Sequence, residues 1–529
     1  MFVNCKTRVS PWQQTALLRA GLACTLAFAP ATAAYTQIQG SAQSSSGVRA
    51  TQVPLSGRAS GASVNVQQSA TQGSGANTLN TTISVSGSTS GSVLDGSVSG
   101  DSITLTLEDA IRRGLAFNLG RVTADNTARQ SSAQRISARA TLLPQISASV
   151  AEDAAKVDLA AEGFSASAFG GAFGGFQFPT AVGPFHYYDL HGSLQQNVLD
   201  FTAIHNYRSA RQSDDAANFS LKDVREQVVL AVAGSYLQLL ATAALLEQQQ
   251  VEVQYAQASY KQANAQFEAG NKAPIDATRS LVELQTEQQR LSSERGDFRK
   301  QKNALARLIG IPLGVEITLT EKLPERAPSV PPLNDAIRQA FATRSDLRAA
   351  EAQLRAAEEA HKAAVSERLP SATVNGTYGL QGINPNQGTT VFQAAATLSV
   401  PIFQGGRLHA DAVQADAAVA QRRAELSDER GAVELDVRNA YIDLEVASQQ
   451  VVTAASNRKL ALQTLQQSQD RFAVGVADSV EVVSSQQSLA AADHDYVSSL
   501  FSQSVARISL ARAIGEAEKD LPDLLKGSL

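Results

Sequence analysis

The sequence predicts an α+β membrane protein built twice over: internally duplicated, long antiparallel coiled-coil α-helices plus four transmembrane β-strands per chain, closing a twelve-stranded β-barrel and an α-helical tunnel as a trimer. Three observations lead there. First, the chain repeats itself. Leu107, Asp109, Ala110, Ile111 and Arg112 recur as Leu333, Asp335, Ala336, Ile337 and Arg338, and Leu143-Pro144 as Leu369-Pro370, 226 positions on. Farther along, Val228, Leu230, Val232, Tyr236 and Leu239 recur as Val433, Leu435, Val437, Tyr441 and Leu444, and Leu305-Ala306-Arg307 as Leu510-Ala511-Arg512, at a spacing of 205. A register that jumps between two blocks places the length difference in one surface loop, between Pro144 and Val228. Second, four stretches alternate apolar and polar residues over about 7–11 positions, the length that crosses a bilayer at a tilt. Third, two helical patterns run without proline from Ile204 to Ala269 and from Arg407 to Val474, far beyond a globular helix.

The N-terminus reads as an export signal over residues 1–34. Lys6, Arg8 and Arg19 precede the apolar Gly21 to Pro30, and Ala31-Thr32-Ala33 offers a cleavage site. Both cysteines, Cys5 and Cys24, fall inside it, so no disulfide framework is expected in the mature chain. Cys24 as a lipidation site is the lesser reading, because Gly21-Leu22-Ala23-Cys24 lacks leucine three places before the cysteine. Residues 35–100 form a Ser/Gly/Thr-rich low-complexity extension, expected to be a flexible tail, with a strand-rich module packed on the main body as the alternative. Later in the chain no run of 18 apolar residues occurs, so an exported chain that enters a membrane does so as a closed barrel.

Repeat 1 is placed at 101–310. Thr104 to about Leu142 is helical in pattern, opened by Asp101-Ser102 and stopped at Leu143-Pro144, since a residue before proline resists the helical region. Strands follow at about 145–151 and 188–198, joined by a Gly- and Phe-rich connection from Glu152 to His186. No helix follows that stretch, so it reads as an exposed loop rather than a phosphate cradle. The long helix turns back at Glu268-Ala269-Gly270-Asn271-Lys272-Ala273-Pro274 and returns to Gly310. Prolines 312, 324, 328, 331 and 332 mark an irregular linker at 311–332. Repeat 2, at 333–515, has strands about 371–380 and 392–400 and a hairpin turning at Ala473-Val474-Gly475-Val476-Ala477-Asp478, with 516–529 as a tail. Val437, Tyr441, Leu444 and Val451 recur at the spacing of a coiled-coil seam.

Four strands cannot close a membrane barrel, for which about eight is the minimum, whereas three copies supply about twelve. At this point residues 103–515 resemble the TolC-like outer-membrane efflux protein family, the outer membrane factors. The residues that carry the resemblance are the duplicated helix–strand–strand–helix order, Leu143-Pro144 and Leu369-Pro370 ahead of the strands, Val400-Pro401-Ile402-Phe403-Gln404-Gly405-Gly406 entering the second long helix, and the turns Phe267-Glu268-Ala269-Gly270 and Phe472-Ala473-Val474-Gly475.

The resemblance implies a homotrimeric channel in the outer membrane of a Gram-negative bacterium, extending into the periplasm. Its partners would be outer-membrane lipid, a periplasmic adaptor (membrane fusion) protein and an inner-membrane pump. Phe267, Gly270, Phe472 and Gly475 would mark the hairpin tips that meet the adaptor. Asp276 and Glu481 match the family's gate acids; the bland reading of each is an acid favoured by a helix N-terminus. The chain departs from the best-known member at Ala477 and Phe472, where a basic residue and a tyrosine would complete a gate network, and at Ser484, where a further acid would sit. The closed state is therefore expected to depend less on ion pairs.

The function this implies is a passive exit duct for small molecules in a tripartite efflux system; the outer-membrane component of a type I protein secretion system is the alternative. A trimeric adhesin would carry its anchor strands at the C-terminus, where Leu521 to Leu529 is not strand-like. The net charge of −5 argues against nucleic acid. No catalytic, metal or cofactor site is expected. His186 and His191 alone approach ligand spacing and read better as a loop end and a strand position. Arg307 and Arg512 read as cations at helix C-termini rather than anion ligands.

Overall fold

The computed structural model describes residues 63–68, 81–94, 102–159, 161, 180–270, 273–324, 331–474 and 476–518. The expected signal segment, with both cysteines, lies outside them, as do most of the Gly- and Phe-rich connection and the end of the tail.

Three expectations are corrected at the start of the chain and in the linker. Part of the extension is built structure rather than a tail: strands β1 (Ser63–Gln68) and β2 (Thr81–Ser86) pair antiparallel. In their register Val64 lies opposite Val85 and Val66 opposite Ile83. The segment that follows is tied down by Leu119 N–H to Gly91 O (2.9 Å) and Val93 N–H to Phe117 O (2.8 Å). The helix expected from Thr104 is instead strand β3 (Ser102–Leu105), helix α1 (Leu107–Phe117) and helix α2 (Leu119–Ala140). Thr106 caps α1 through the Asp109 amide, and Asn118 interrupts the run and caps α2 through the Gly120 amide (2.9 Å). The linker is not wholly irregular, because β6 (Glu316–Leu319) pairs in parallel with β3, each apolar residue against its like, Ile103 to Ile317 and Leu105 to Leu319.

The main sheet has strands β4 (Gln145–Asp158), β5 (Ala181–Leu199), β7 (Ser371–Gly382) and β8 (Thr389–Ser399), antiparallel and in the order β4-β5-β7-β8. Both first-copy strands run longer than their alternation. Below the sheet, α3 (Phe201–Glu268) and α4 (Pro274–Ile309) form one hairpin, and α7 (Arg407–Ala473) and α8 (Ser479–Ile514) the other. The second copy also carries the short helices α5 (Leu333–Thr343) and α6 (Ser345–Ser366). At 1.5 Å per residue, α3 and α7 each extend about 100 Å.

Two large apolar clusters hold the helices together, the first of them also taking in Val497, Phe501, Val505 and Ile508 of α8. The first centres on Val228, Val232, Tyr236 and Leu239 of α3 with Leu305 and Ile309 of α4. The second uses their repeat-related positions Val433, Val437 and Leu444 with Leu510 and Ile514. By composition one window of α3 is long and apolar enough to cross a bilayer, although it contains no unbroken apolar run; 78% of that window is buried inside the protein, so it is core. Buried Tyr236 donates its hydroxyl to Leu105 O at 3.2 Å, which ties the β3/β6 pair to this core.

Candidate functional site

The sheet sorts its side chains by face. Ile146, Leu194, Gly376 and Ala394 form one cross-strand row, and Ala148, Gly192, Tyr378 and Phe392 the next; Val150, Leu190, Leu380 and Thr390 make a third. The rows between them point the other way and include Gln145, Gln195 and Asn375, then Ser147, Ser193, Thr377 and Gln393. On this polar face Ser147 Oγ lies 2.6 Å from Ser193 Oγ, and His191 Nδ1 lies 3.0 Å from Asp189 Oδ1. On the apolar face Ile146, Val150, Tyr378, Phe392 and Leu398 are exposed in the single chain. The outer edges of β4 and β8 carry no pairing strand among the described residues.

At the far end the hairpin turns carry the residues singled out from the sequence. Gly270 takes φ +75°, a conformation that L side chains rarely adopt, and nothing crowds the place of a Cβ, so backbone angle rather than space asks for glycine there. Pro274 opens α4 and Asp276 sits in its first turn. Asp276 Oδ1 accepts from Ser479 Oγ at 2.6 Å, a bond that joins the first hairpin to the second. Asp478 caps α8 through the Glu481 amide (3.0 Å).

Glu481 makes an ion pair within its own hairpin, with Arg471 Nε 3.6 Å from its carboxylate. The cation that faces Glu481 thus stands on the other arm of the turn. A basic residue ten positions before the acid, across a turn, was the signal for this pair.

Phe267 and Phe472 are repeat-related, but the structure separates them. Phe267 is 41% exposed, whereas Phe472 is 6% exposed and packs on Ala477 and Val482. Phe472 therefore holds the second turn from inside. Ile275, Val474, Val476 and Val480 are further exposed apolar side chains around the tips. Gly475 lies outside the described residues.

Elsewhere, His186 faces Glu152 at 3.4 Å and His191 faces Asp189, so the two histidines have separate carboxylate partners. Among the described residues no group of three or more His, Cys, Asp or Glu is spaced to hold a metal ion. Arg512 pairs with Asp223 at 3.5 Å.

The family model described as outer membrane efflux protein matches residues 123–311 and 336–516, each segment holding one strand pair and one helical hairpin. The chain belongs to that family. It is accordingly an outer-membrane protein of a Gram-negative bacterium, a transport protein and not an enzyme.

The chain is 27% identical over 325 residues to the pyoverdine export outer membrane protein OpmQ of Pseudomonas putida, covering 58% of this chain and 66% of that one. It is 24% identical over 330 residues to nodulation protein T of Rhizobium leguminosarum bv. trifolii, covering 61% and 67%. The chain thus spans about two thirds of the length of these two relatives. The open state of the Neisseria gonorrhoeae MtrE outer membrane channel has the same fold, with a TM-score of 0.66 at 18% identity, covering 78% of this chain and 90% of that one.

Proposed function

We propose that three copies of this outer membrane efflux protein form a passive exit channel of a tripartite efflux system, carrying small molecules from an inner-membrane pump and a periplasmic adaptor to the outside. The observation that carries this is the sheet, with one face apolar row by row, the other polar, and both edges unpaired. In lipid, every backbone polar group needs an internal partner, so an open sheet has to close. Strand direction alternates across β4-β5-β7-β8, so β8 of one copy can receive β4 of the next antiparallel. Three copies then give twelve strands, with the apolar rows toward lipid and the Ser, Gln, Asn and His rows toward a wet lumen.

The hairpins continue that lumen through the periplasm and end at the tips. There Phe267, Gly270 and the Gly475 turn offer the adaptor surface, with Phe472 shaping it from within. Asp276 and Glu481 form the gate, Asp276 by latching to Ser479 and Glu481 by charge. No nucleotide-binding loop is present in the sequence, so the energy for transport comes from the pump. The test is the assembly state in detergent together with single-channel conductance in planar bilayers. A soluble monomer without detergent would overturn the proposal.

A ring of three Glu481 side chains favours cations, and its partner Arg471 offsets part of that charge. Replacing Glu481 with Gln leaves Arg471 unopposed. The cation-over-anion permeability ratio is expected to fall severalfold, the scale of a charge interaction worth about 1 kcal/mol in water. An unchanged reversal potential would remove Glu481 from the constriction.

A further inference from the structure

Along α3, Leu245, Gln249, Glu252, Ala256, Ser259 and Ala263 follow each other at alternating steps of four and three, the spacing of a coiled-coil seam. Small or apolar residues are expected at such positions. Glu252 is instead a carboxylate only 5% exposed, where burying an unpaired charge is costly.

Its surroundings make the cost greater. From α4 it is faced by Glu283 and Glu287, and from α8 by Asp493. The nearby cations are engaged: Arg290 Nη1 bonds Glu287 at 2.7 Å, and Arg458 of α7 bonds Asp493. Gln249 Nε2 donates to Glu287 Oε2 at 2.6 Å and Gln487 Nε2 to Glu283 at 3.3 Å. Among the described residues no ion pair includes Glu252.

A cavity about the size of one water is lined by Glu252, Glu283, Glu287, Gln486 and Gln487. Gln486, also 5% exposed, donates its Nε2 to Ser259 Oγ at 3.0 Å, yet its Oε1 is a buried acceptor with no partner. A proton on the Glu252 carboxyl group answers both the orphaned acceptor and the uncompensated charge that line this one cavity. A metal does not answer the need, since these carboxylates are not spaced to hold one.

We propose that Glu252 is the proton-binding residue of a latch between the two hairpins. Neutral, its carboxyl O–H donates to Gln486 Oε1 across the α3–α8 seam and holds it shut; ionised, it repels Glu283, Glu287 and Asp493 and loosens the seam toward the tips.

Burial, then the charges of Asp493, Glu287 and Glu283, push the Glu252 carboxyl up to about 7. Burial foremost also raises Glu283. A carboxyl raised in the closed form favours that form below its ordinary range, and the advantage is lost as pH rises through the raised value. The closed seam therefore weakens from about pH 5 to pH 8, by up to about tenfold in its equilibrium per pH unit and per copy in the lower half of that window, levelling off once the raised value is passed.

The consequence for gating rests on the channel reading, and the test separates the two. Spin labels at Gln254→Cys on α3 and Ala491→Cys on α8, both exposed positions, read the seam in the full-length protein in detergent, while bilayer recordings read conduction. With native Glu252, the label separation is expected to broaden and open probability to rise as pH goes from 5.5 to 8. With Glu252→Gln, whose amide donates at every pH, both stay at their low-pH values. A label separation that ignores pH, or a pH response that survives Glu252→Gln, overturns the latch. A protein that shows the pH-dependent separation but forms no pore supports the latch and refutes the channel.

Discussion

Replacing Gly379 with valine is expected to abolish assembly in the outer membrane. Gly379 lies on β7 opposite His191 of β5, in the pairing that joins the strands of the first copy to those of the second. A Cβ there would sit 2.2 Å from Leu190 O, 2.6 Å from His191 Cβ and 2.7 Å from His191 Cα. Two of these are backbone atoms of the paired strand, so the clash cannot be relieved by a rotamer change. The two strands must separate, and their ladder bonds on either side are lost with the clash. Overpacking alone costs up to about 3 kcal/mol, and the broken ladder adds to it. Gly192 is the control, since a Cβ there meets nothing closer than 3.9 Å. Membrane fractions should show no trimer for Gly379→Val and a normal amount for Gly192→Ala. Trimer at the wild-type level in the valine variant would mean that this pairing does not carry the barrel.

The parts of this architecture that were legible in the sequence are those with a period. Strict alternation located all four strands of the sheet, and the absence of proline over more than sixty residues gave the two long helices. Where the period fails, the structure went further than the sequence. Glu152 to Asp158 continues β4 without apolar alternation, because Ala154 and Ala155 simply follow the register set by His186 and Phe185 opposite. β3 and β6 were hidden because each is four residues long and lies beside a helix start or a proline.

The break at Asn118 was hidden for another reason. A polar residue within a helical pattern is silent until its partners are known, and Asn118 is fully buried, donating to Thr89 O (2.8 Å) and Leu308 O (3.4 Å). At the tips, the acids could be located by their place after the turns. Arg471, ten positions before Glu481 across the turn, was readable as its partner, whereas the inward turn of Phe472 needed three dimensions. The polar side chains of the α3–α8 seam look like ordinary solvent-facing residues in sequence, since a coiled-coil pattern does not say which polar residue lies under another helix.

The position 226 residues beyond Asn118 is Arg344, and it breaks the second copy at the same place, between α5 and α6. Here the buried amide is replaced by a charge. Arg344 is 4% exposed, with Nε 3.1 Å from Asp346 Oδ1 and Nη1 2.9 Å from Asp436 Oδ2. Burial works to raise the Asp346 carboxyl, but the hydrogen bonds and charge of Arg344 outweigh it and hold the group below its usual range. Around them, burial foremost raises Asp223 and pushes Glu226 up to about 7.

Substituting Arg344 with methionine fills much of the volume and removes the charge, leaving the half-buried Asp346 with the Leu347 amide and the charge of Arg512 but no ion-pair partner of its own. Losing one member of a buried pair costs about 3–5 kcal/mol, and the partly exposed Asp436 moves the expectation to about 3. The pH dependence follows from the signs. In the native protein the depressed Asp346 contributes stability above its unfolded range, lost as pH falls through its folded value. Without Arg344, burial dominates and raises the same group, so its penalty is felt at high pH and relieved when it takes a proton. Thermal denaturation should therefore show a large deficit for Arg344→Met at pH 8 that shrinks toward pH 4.5. Adding Asp346→Asn should recover much of the loss at pH 8. A deficit of equal size at both pH values would show that the cost is one of packing rather than of a stranded charge.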